Sequence, residues 1–184
     1  MARALSRSDT LFRILELAAE EARLAIDAAS VSVSRLEIGT LNVRTIVNVG
    51  DLGPHEVRWP EYEFYALDEF ENLAIDVDAL ETWRFDVDSA DCPPGDRDLL
   101  RLLDKGCSLA SPIVVDGRLW GEFYATRHRD EPTFDDSDVA CLEVLVAVMA
   151  GAISRALKEA SLEQLAFKDP LTGLFNRRVL DEQA

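Results

Sequence analysis

Two stretches rich in β-branched and aromatic residues, Cys107–Val115 and Arg118–Arg127, are separated only by Asp116-Gly117. Both central positions of a two-residue hairpin need positive φ, which Asp-Gly tolerates at little cost, so the pair commits this region to antiparallel neighbours. Along the return strand Leu119, Gly121, Phe123 and Ala125 share one face, and Trp120, Glu122, Tyr124 and Thr126 the other. A second hairpin is predicted upstream, where residues 30–36 alternate, Gly39 marks a turn and the β-branched run 43–49 returns.

Helical periodicity brackets these hairpins. Leu11, Ile14, Leu15, Ala18, Ala22, Ala25, Ile26 and Ala29 recur at three- and four-residue intervals, which predicts an amphipathic helix over 11–29 with Ser8, Asp9 or Thr10 as its cap. A short helix is expected over 96–106, with Lys105 in its last turn and Gly106 as its left-handed stop. Capping oxygens and acids at 133–138 open a long helix over about 136–167. On it Leu142, Val146, Met149, Ile153, Ala156 and Ala160 alternate spacings of four and three, the seam of a helix pair. Its first half is expected to cover the sheet. Beyond Arg155 the domain's own core should be exhausted, so Leu157, Leu162 and Leu165 need a partner, and a second copy of the chain is expected to supply it.

Between 50 and 105 the pattern is irregular, with Trp59, Tyr62, Phe64, Tyr65, Phe70, Trp83 and Phe85 scattered among acids, as in short helices and loops packed over a sheet. A cavity between that layer and the sheet would be walled by Trp83, Arg84, Cys107, Ser111, Trp120, Glu122 and Tyr124. The alternative is that these aromatics only fill the core.

A formal net charge of −16 repels phosphate backbones and anionic lipids, which argues against nucleic-acid or membrane-surface partners and favours a small molecule or another protein chain. The apolar run 139–153 contains Glu143 and is shorter than the ~20 residues of a bilayer span. No secretory signal opens the chain, so a cytoplasmic location is expected. Cys92, Cys107 and Cys141 form no C-x-x-C pair, and the only histidines, His55 and His128, stand far apart. No catalytic elbow, phosphate loop or H-E-x-x-H pair is present. The acidic run 86–91 lacks a calcium loop's ligand and glycine at Ala90 and Asp91, so no metal site and no catalytic residue are expected.

The order helix, hairpin, irregular middle, short helix, Asp-Gly hairpin, long exit helix resembles the GAF family over about residues 10–160. The likeness is strongest at 106–121, where Pro112 lies inside one strand and Gly121 two residues beyond Leu119, and at 134–138. PAS domains lack this pairing of terminal helices with an Asp-Gly hairpin before the exit helix. The resemblance implies an α+β fold: a central antiparallel sheet of about six strands, with N- and C-terminal helices on one face and short helices or loops on the other. Bilin-binding relatives use a cysteine commonly followed by histidine, whereas Pro93 follows Cys92 here. The signature of cyclic-nucleotide relatives is not reproduced.

A second likeness lies at the end. Asp169, Leu171, Thr172, Gly173, Leu174, Asn176, Arg177 and Arg178 match the D-x-L-T-G-L-x-N-R-R opening of GGDEF domains, the diguanylate cyclases. The resemblance divides the chain into a lead (1–10), a GAF sensor (11–155), a signalling helix (156–168) and the start of a cyclase domain (169–184). It implies that GTP and Mg belong to the cyclase portion beyond 184, and that no cofactor belongs to this one. It further implies a regulatory domain that binds a small molecule or partner and controls cyclic di-GMP synthesis through a dimeric exit helix. A ligand-free dimerisation module is the alternative, and a sulfoxide reductase acting through Cys92 or Cys107 a more distant one.

Overall fold

The computed structural model describes residues 2–37, 39–40, 42–54, 56–66 and 80–167. The chain forms helix α1 (Ala2–Ala25), strands β1 (Ser30–Glu37), β2 (Asn42–Gly50), β3 (Phe64–Ala66) and β4 (Trp83–Asp86), helix α2 (Pro94–Leu102), strands β5 (Cys107–Val115) and β6 (Arg118–Arg127), and helix α3 (Asp136–Phe167). The six strands make one sheet in the order β3-β2-β1-β6-β5-β4, every described pair antiparallel. This is the α+β arrangement that the GAF resemblance implies, with α1 and α3 packed on one face.

The hairpins form where the turn chemistry puts them. Asp116 and Gly117 take φ of 49° and 75°, the mirror-image turn that matches strand twist. Leu15, Ala19 and Ala22 of α1 and Ile26 just after it meet Leu142, Val146, Met149 and Ile153 of α3 over Val31, Val33, Val47, Leu109, Ile113, Phe123 and Ala125. A smaller layer under α2 joins Leu103, Ala110 and Tyr124, with Trp83 and Leu99 against them. Both faces of the central strands are therefore covered, and Ser30, Ser34 and Thr126 are buried as fully as their apolar neighbours. Their hydroxyls compensate pairwise, Ser30 with Thr126 at 2.7 Å and Ser34 with Thr45 at 3.2 Å.

Several boundaries differ from expectation. Helix α1 runs through Ser8, Asp9 and Thr10 instead of being capped by them. It stops at Ala25, not Ala29, because Asp27 turns left-handed (φ 48°) and the Arg23 guanidinium caps the carbonyl of Ala28 at 3.1 Å. Helix α2 spans Pro94–Leu102, with proline in its first turn where the missing N–H costs nothing. Its left-handed stop is Asp104 (φ 57°) and not Gly106. Gly106 is required for another reason: a Cβ there would sit 2.7 Å from Arg129 Cα. Lys105 does not lie on a solvated last turn. It is buried, and its Nζ donates to the carbonyl of Asp51 at 2.6 Å. Desolvation depresses its pKa, against the pull of Glu56 and Asp51.

The apolar character of α3 extends further than the run 139–153. Residues Asp136–Leu162 are long and apolar enough to cross a membrane by length and composition, with a mean hydropathy of 1.8. The helix is apolar on two sides: Leu142, Val146, Met149 and Ile153 are buried, whereas Val144 and Val148 are 65% and 66% exposed. The sheet explains only the first set.

Candidate functional site

Between the second face of the sheet and α2 lies a cavity. Its floor is set by register: Ser32 stands opposite Tyr124, and Ser34 opposite Glu122, on the central pair β1 and β6. Val43 and Thr45 of β2, Tyr65 of β3 and Trp83 of β4 extend the wall to the sheet's edges. Asp96 and Leu99 of α2 and Leu103 at its C-cap form the roof, and Glu56 closes one side. The free space is ≈ 40 Å³, room for about two or three waters.

The polar groups around this space are unevenly satisfied. Tyr65 Oη donates to Glu63 at 3.1 Å, and Glu56 accepts from the Gly53 amide. The buried Tyr124 hydroxyl faces that of Ser108, and Trp83 Nε1 has no hydrogen-bond partner. Glu122 forms no ion pair or hydrogen bond among the described residues, and desolvation, with the charge of Asp96 added, pushes its pKa up to about 8. Burial also raises Glu56, and it raises the phenols of Tyr65 and Tyr124.

A carboxyl whose folded pKa lies above its unfolded value holds its proton longer in the folded state. Its cost to stability is nil below about pH 4.5, grows as pH rises toward 8, and is constant above. Glu122→Gln should therefore raise stability at pH 7.5 by a few kcal/mol, to order of magnitude, with no gain at pH 4. Urea titrations of both proteins across that range check it; an equal offset at both pH values would place the gain elsewhere.

Of the seven residues expected around a cavity, the structure brings together Trp83, Glu122 and Tyr124. Arg84 points to the other side and pairs with Asp136 at 2.7 Å. With Cys107 it lines a separate depression that includes Phe85, Ser108 and Phe134. Ser111 pairs in register with Phe123, whose ring is in the helix-side core, and its hydroxyl accepts from Thr82 at 3.0 Å. Trp120 is displaced by a β-bulge. Ile113 pairs with Gly121 and Val114 with Leu119, which leaves Trp120 as the extra residue. The alternation restarts there, and its ring packs against the helix-side core with the Arg35 guanidinium 5.9 Å above it.

Periodicity alone missed Asp96, Glu56, Tyr65 and the serines of β1. Ser32 and Ser34 were legible as the polar half of an alternating strand. Asp96 was not, since a carboxylate at the start of a helix is usually solvated, and here it is buried.

The thiols are poorly placed for chemistry. Cys92 and Cys107 are buried, which raises both pKa values away from the reactive thiolate, and Cys141 is half-buried on α3. His128 pairs with Asp51 at 3.1 Å, and His55 lies outside the described residues. Among the described residues no three His, Cys, Asp or Glu side chains are grouped to hold a metal ion.

On α3 the expected seam divides. Leu142, Val146, Met149 and Ile153 are buried in the monomer's own core and are not available to a second chain. Leu157 and Leu162 are exposed, at 39% and 66%. The Leu165 side chain and the motif 169–178 lie outside the described residues.

The GAF domain model matches residues 10–153. The chain belongs to the GAF domain family. As a GAF domain it is a regulatory, sensory module. Among solved structures it is similar to the PixJ GAF domain of Thermosynechococcus elongatus in its blue-light absorbing form, with a TM-score of 0.71, 15% identity and coverage of 88% of this chain and 95% of that one. It is also similar to a GAF domain/HD domain protein from Geobacter sulfurreducens, with a TM-score of 0.61, 21% identity and coverage of 78% and 92%. A curated relative, an uncharacterized protein in the hutH 5' region of Streptomyces griseus, is 46% identical over 69 residues. That match covers 38% of this chain and 29% of the relative's length.

Proposed function

We propose that this GAF domain is the sensor of a diguanylate cyclase, and that it controls cyclic di-GMP synthesis by a following GGDEF domain. The observation that carries this reading is the course of α3. It leaves the core after Ile153, continues without interruption to Phe167, and so reaches to within two residues of the stretch 169–178 that resembles the cyclase opening. A rigid helix rooted in the sensor core and ending at the catalytic domain is a lever: any ligand that favours one helix arrangement over another shifts the output.

The reading includes a dimer. Two GTP molecules are joined in the cyclase reaction, so two catalytic domains must face each other. The exposed apolar residues Val144, Val148 and Leu162 share one face of α3, and Leu157 continues the line of Val146 and Ile153 past the core; both supply apolar surface for pairing two copies of the helix. In the chain carried through a complete cyclase domain, Leu157→Glu with Leu162→Glu should convert a dimer to a monomer by sedimentation and lower cyclic di-GMP formation from GTP at least tenfold. The fold of the GAF domain should be unaffected, since both side chains are solvent-exposed. A dimer that persists with full output would remove the helix from the mechanism.

A second reading, a ligand-free dimeriser, is favoured by the small free volume of ≈ 40 Å³. The two differ in whether any small molecule that occupies the cavity changes cyclase output.

A further inference from the structure

We infer that Asp116, at the tip of the β5–β6 hairpin, is a clasp that fixes the exit helix α3 at the point where it leaves the core, and so sets the direction of the helix beyond Ile153. The inference rests on the reading of α3 as the output lever. One carboxylate oxygen of Asp116 accepts from the Ser154 hydroxyl and from the Lys158 ammonium, both at 3.0 Å. These donors straddle the exit: Ile153 is fully buried, whereas Leu157 is 39% exposed.

The helix is tied at its start by Asp136 to Arg84 and by Asp138 to Arg127. Beyond Asp138, among the described residues, the bonds to Asp116 are the only side-chain hydrogen bonds that α3 makes to another element. Everything between is apolar packing against the sheet and α1. Apolar contact is non-directional and tolerates a helix that turns or tilts, whereas a hydrogen bond weakens steeply when its geometry changes. The clasp therefore supplies the directional restraint that the core does not.

The residue types bear this out. Asp116 takes φ of 49°, a conformation that Asn or Gly suits equally, so the turn itself asks for no carboxylate. A serine inside a helix commonly bonds the carbonyl one turn back, but the Ser154 hydroxyl goes to Asp116 instead. The bonds from Lys158 and Ser154 hold the Asp116 carboxyl below the usual carboxylate range. The hairpin tip is itself anchored, since Val115 belongs to the helix-side core and pairs with Arg118. From this turn β6 runs on to Glu122 and Tyr124, so one strand reaches both the cavity and the clasp. Lys158 also stands one turn before Leu162, beside the surface offered for pairing. Clasped, its ammonium is compensated by Asp116. Released, it meets its counterpart when two helices pair, and the pairing weakens.

The test uses two chains. In the 184-residue chain, Asp116→Asn keeps the turn and removes the charge; amide hydrogen exchange should quicken about two- to fivefold over 154–162, the scale of an exposed ion pair, and stay unchanged over 142–150. Lys158→Gln should do the same, and the two together no more than either, because both remove one contact. In the chain carried through a complete cyclase domain, Asp116→Asn should lower cyclic di-GMP formation about threefold or more, with the urea midpoint unmoved. A merely structural surface pair would leave that output alone. Unchanged exchange over 154–162 would overturn the clasp, and quickened exchange with unchanged output would overturn its part in signalling. A longer chain that forms no cyclic di-GMP in any variant would remove the cyclase reading instead, while the exchange result still decides the clasp.

Discussion

Replacing Arg127 with methionine should cost about 3–5 kcal/mol of stability. The side chain is 8% exposed, and its guanidinium ties together three separate parts of the chain. Nε donates to the Asp27 carbonyl at 3.0 Å, and Nη1 to the carbonyls of Pro132 and Thr133, both at 3.2 Å. Nη2 donates to the Ile26 carbonyl and to Asp138 at 3.2 Å, while the Phe134 ring lies 4.1 Å from the guanidinium carbon. All five donors of the fork are used. Methionine fills much of the volume but leaves four carbonyls and a half-buried carboxylate without their donor. Lysine keeps the charge with only three donors in a different geometry, so Arg127→Lys should recover less than half the loss. Urea denaturation of the three proteins gives the ranking, and a fall in midpoint of under about 1 kcal/mol equivalent for Arg127→Met would show that water replaces the guanidinium. These bonds join the end of α1, the end of β6 and the start of α3, so the same substitution should also loosen the two helices that frame the domain.

Gly121→Ala is the second large effect, expected at about 3 kcal/mol or more. A Cβ at this position would collide with the Ser34 carbonyl oxygen and stand 3.0 Å from Arg35 Cα, both backbone atoms of the paired strand. Backbone in a central strand cannot step aside as a side chain can, so β1 and β6 would have to separate where Glu122 faces the cavity. Gly117→Ala is the informative comparison. It has φ of 75° but open space around it, so only left-handed strain of about 1 kcal/mol applies. Equal losses in urea at the two positions would mean that the close approach at Gly121 is relaxed at no cost.

The large elements were readable because each carries its own local instruction. Asp116-Gly117 can do little but turn, and the three-and-four spacing of Leu15, Ala22 and Ile26 suits one face of a helix whatever lies opposite. Strands β3 and β4, of three and four residues, are too short for alternation to stand above chance. They exist because edge positions beside β2 and β5 were available to pair. The bulge at Trp120 had no local signal either. It arises from matching two strands of different effective length, and it exchanged one cavity residue for a core residue.

The exit helix shows the same division. Its spacing put Leu142, Val146, Met149 and Ile153 on one seam and expected the first half of that seam to cover the sheet, and these residues are buried there. Spacing gave no sign of the second apolar set, Val144 and Val148, which packing leaves exposed.

By itself, then, the sequence determined the two hairpins, the terminal helices, the α+β class and the GAF likeness, all of which depend on contacts within a few residues or on a periodic face. The tertiary structure alone decided that Glu122, Asp96 and Glu56 surround one cavity, that Lys105 and Arg127 are buried cations held by carbonyls, and that Arg84, Cys107, Ser111 and Trp120 lie elsewhere. Those facts depend on register and on which residues from distant segments share one low-dielectric space, and there the free energy of a charge is set by its neighbours and not by its place in the chain.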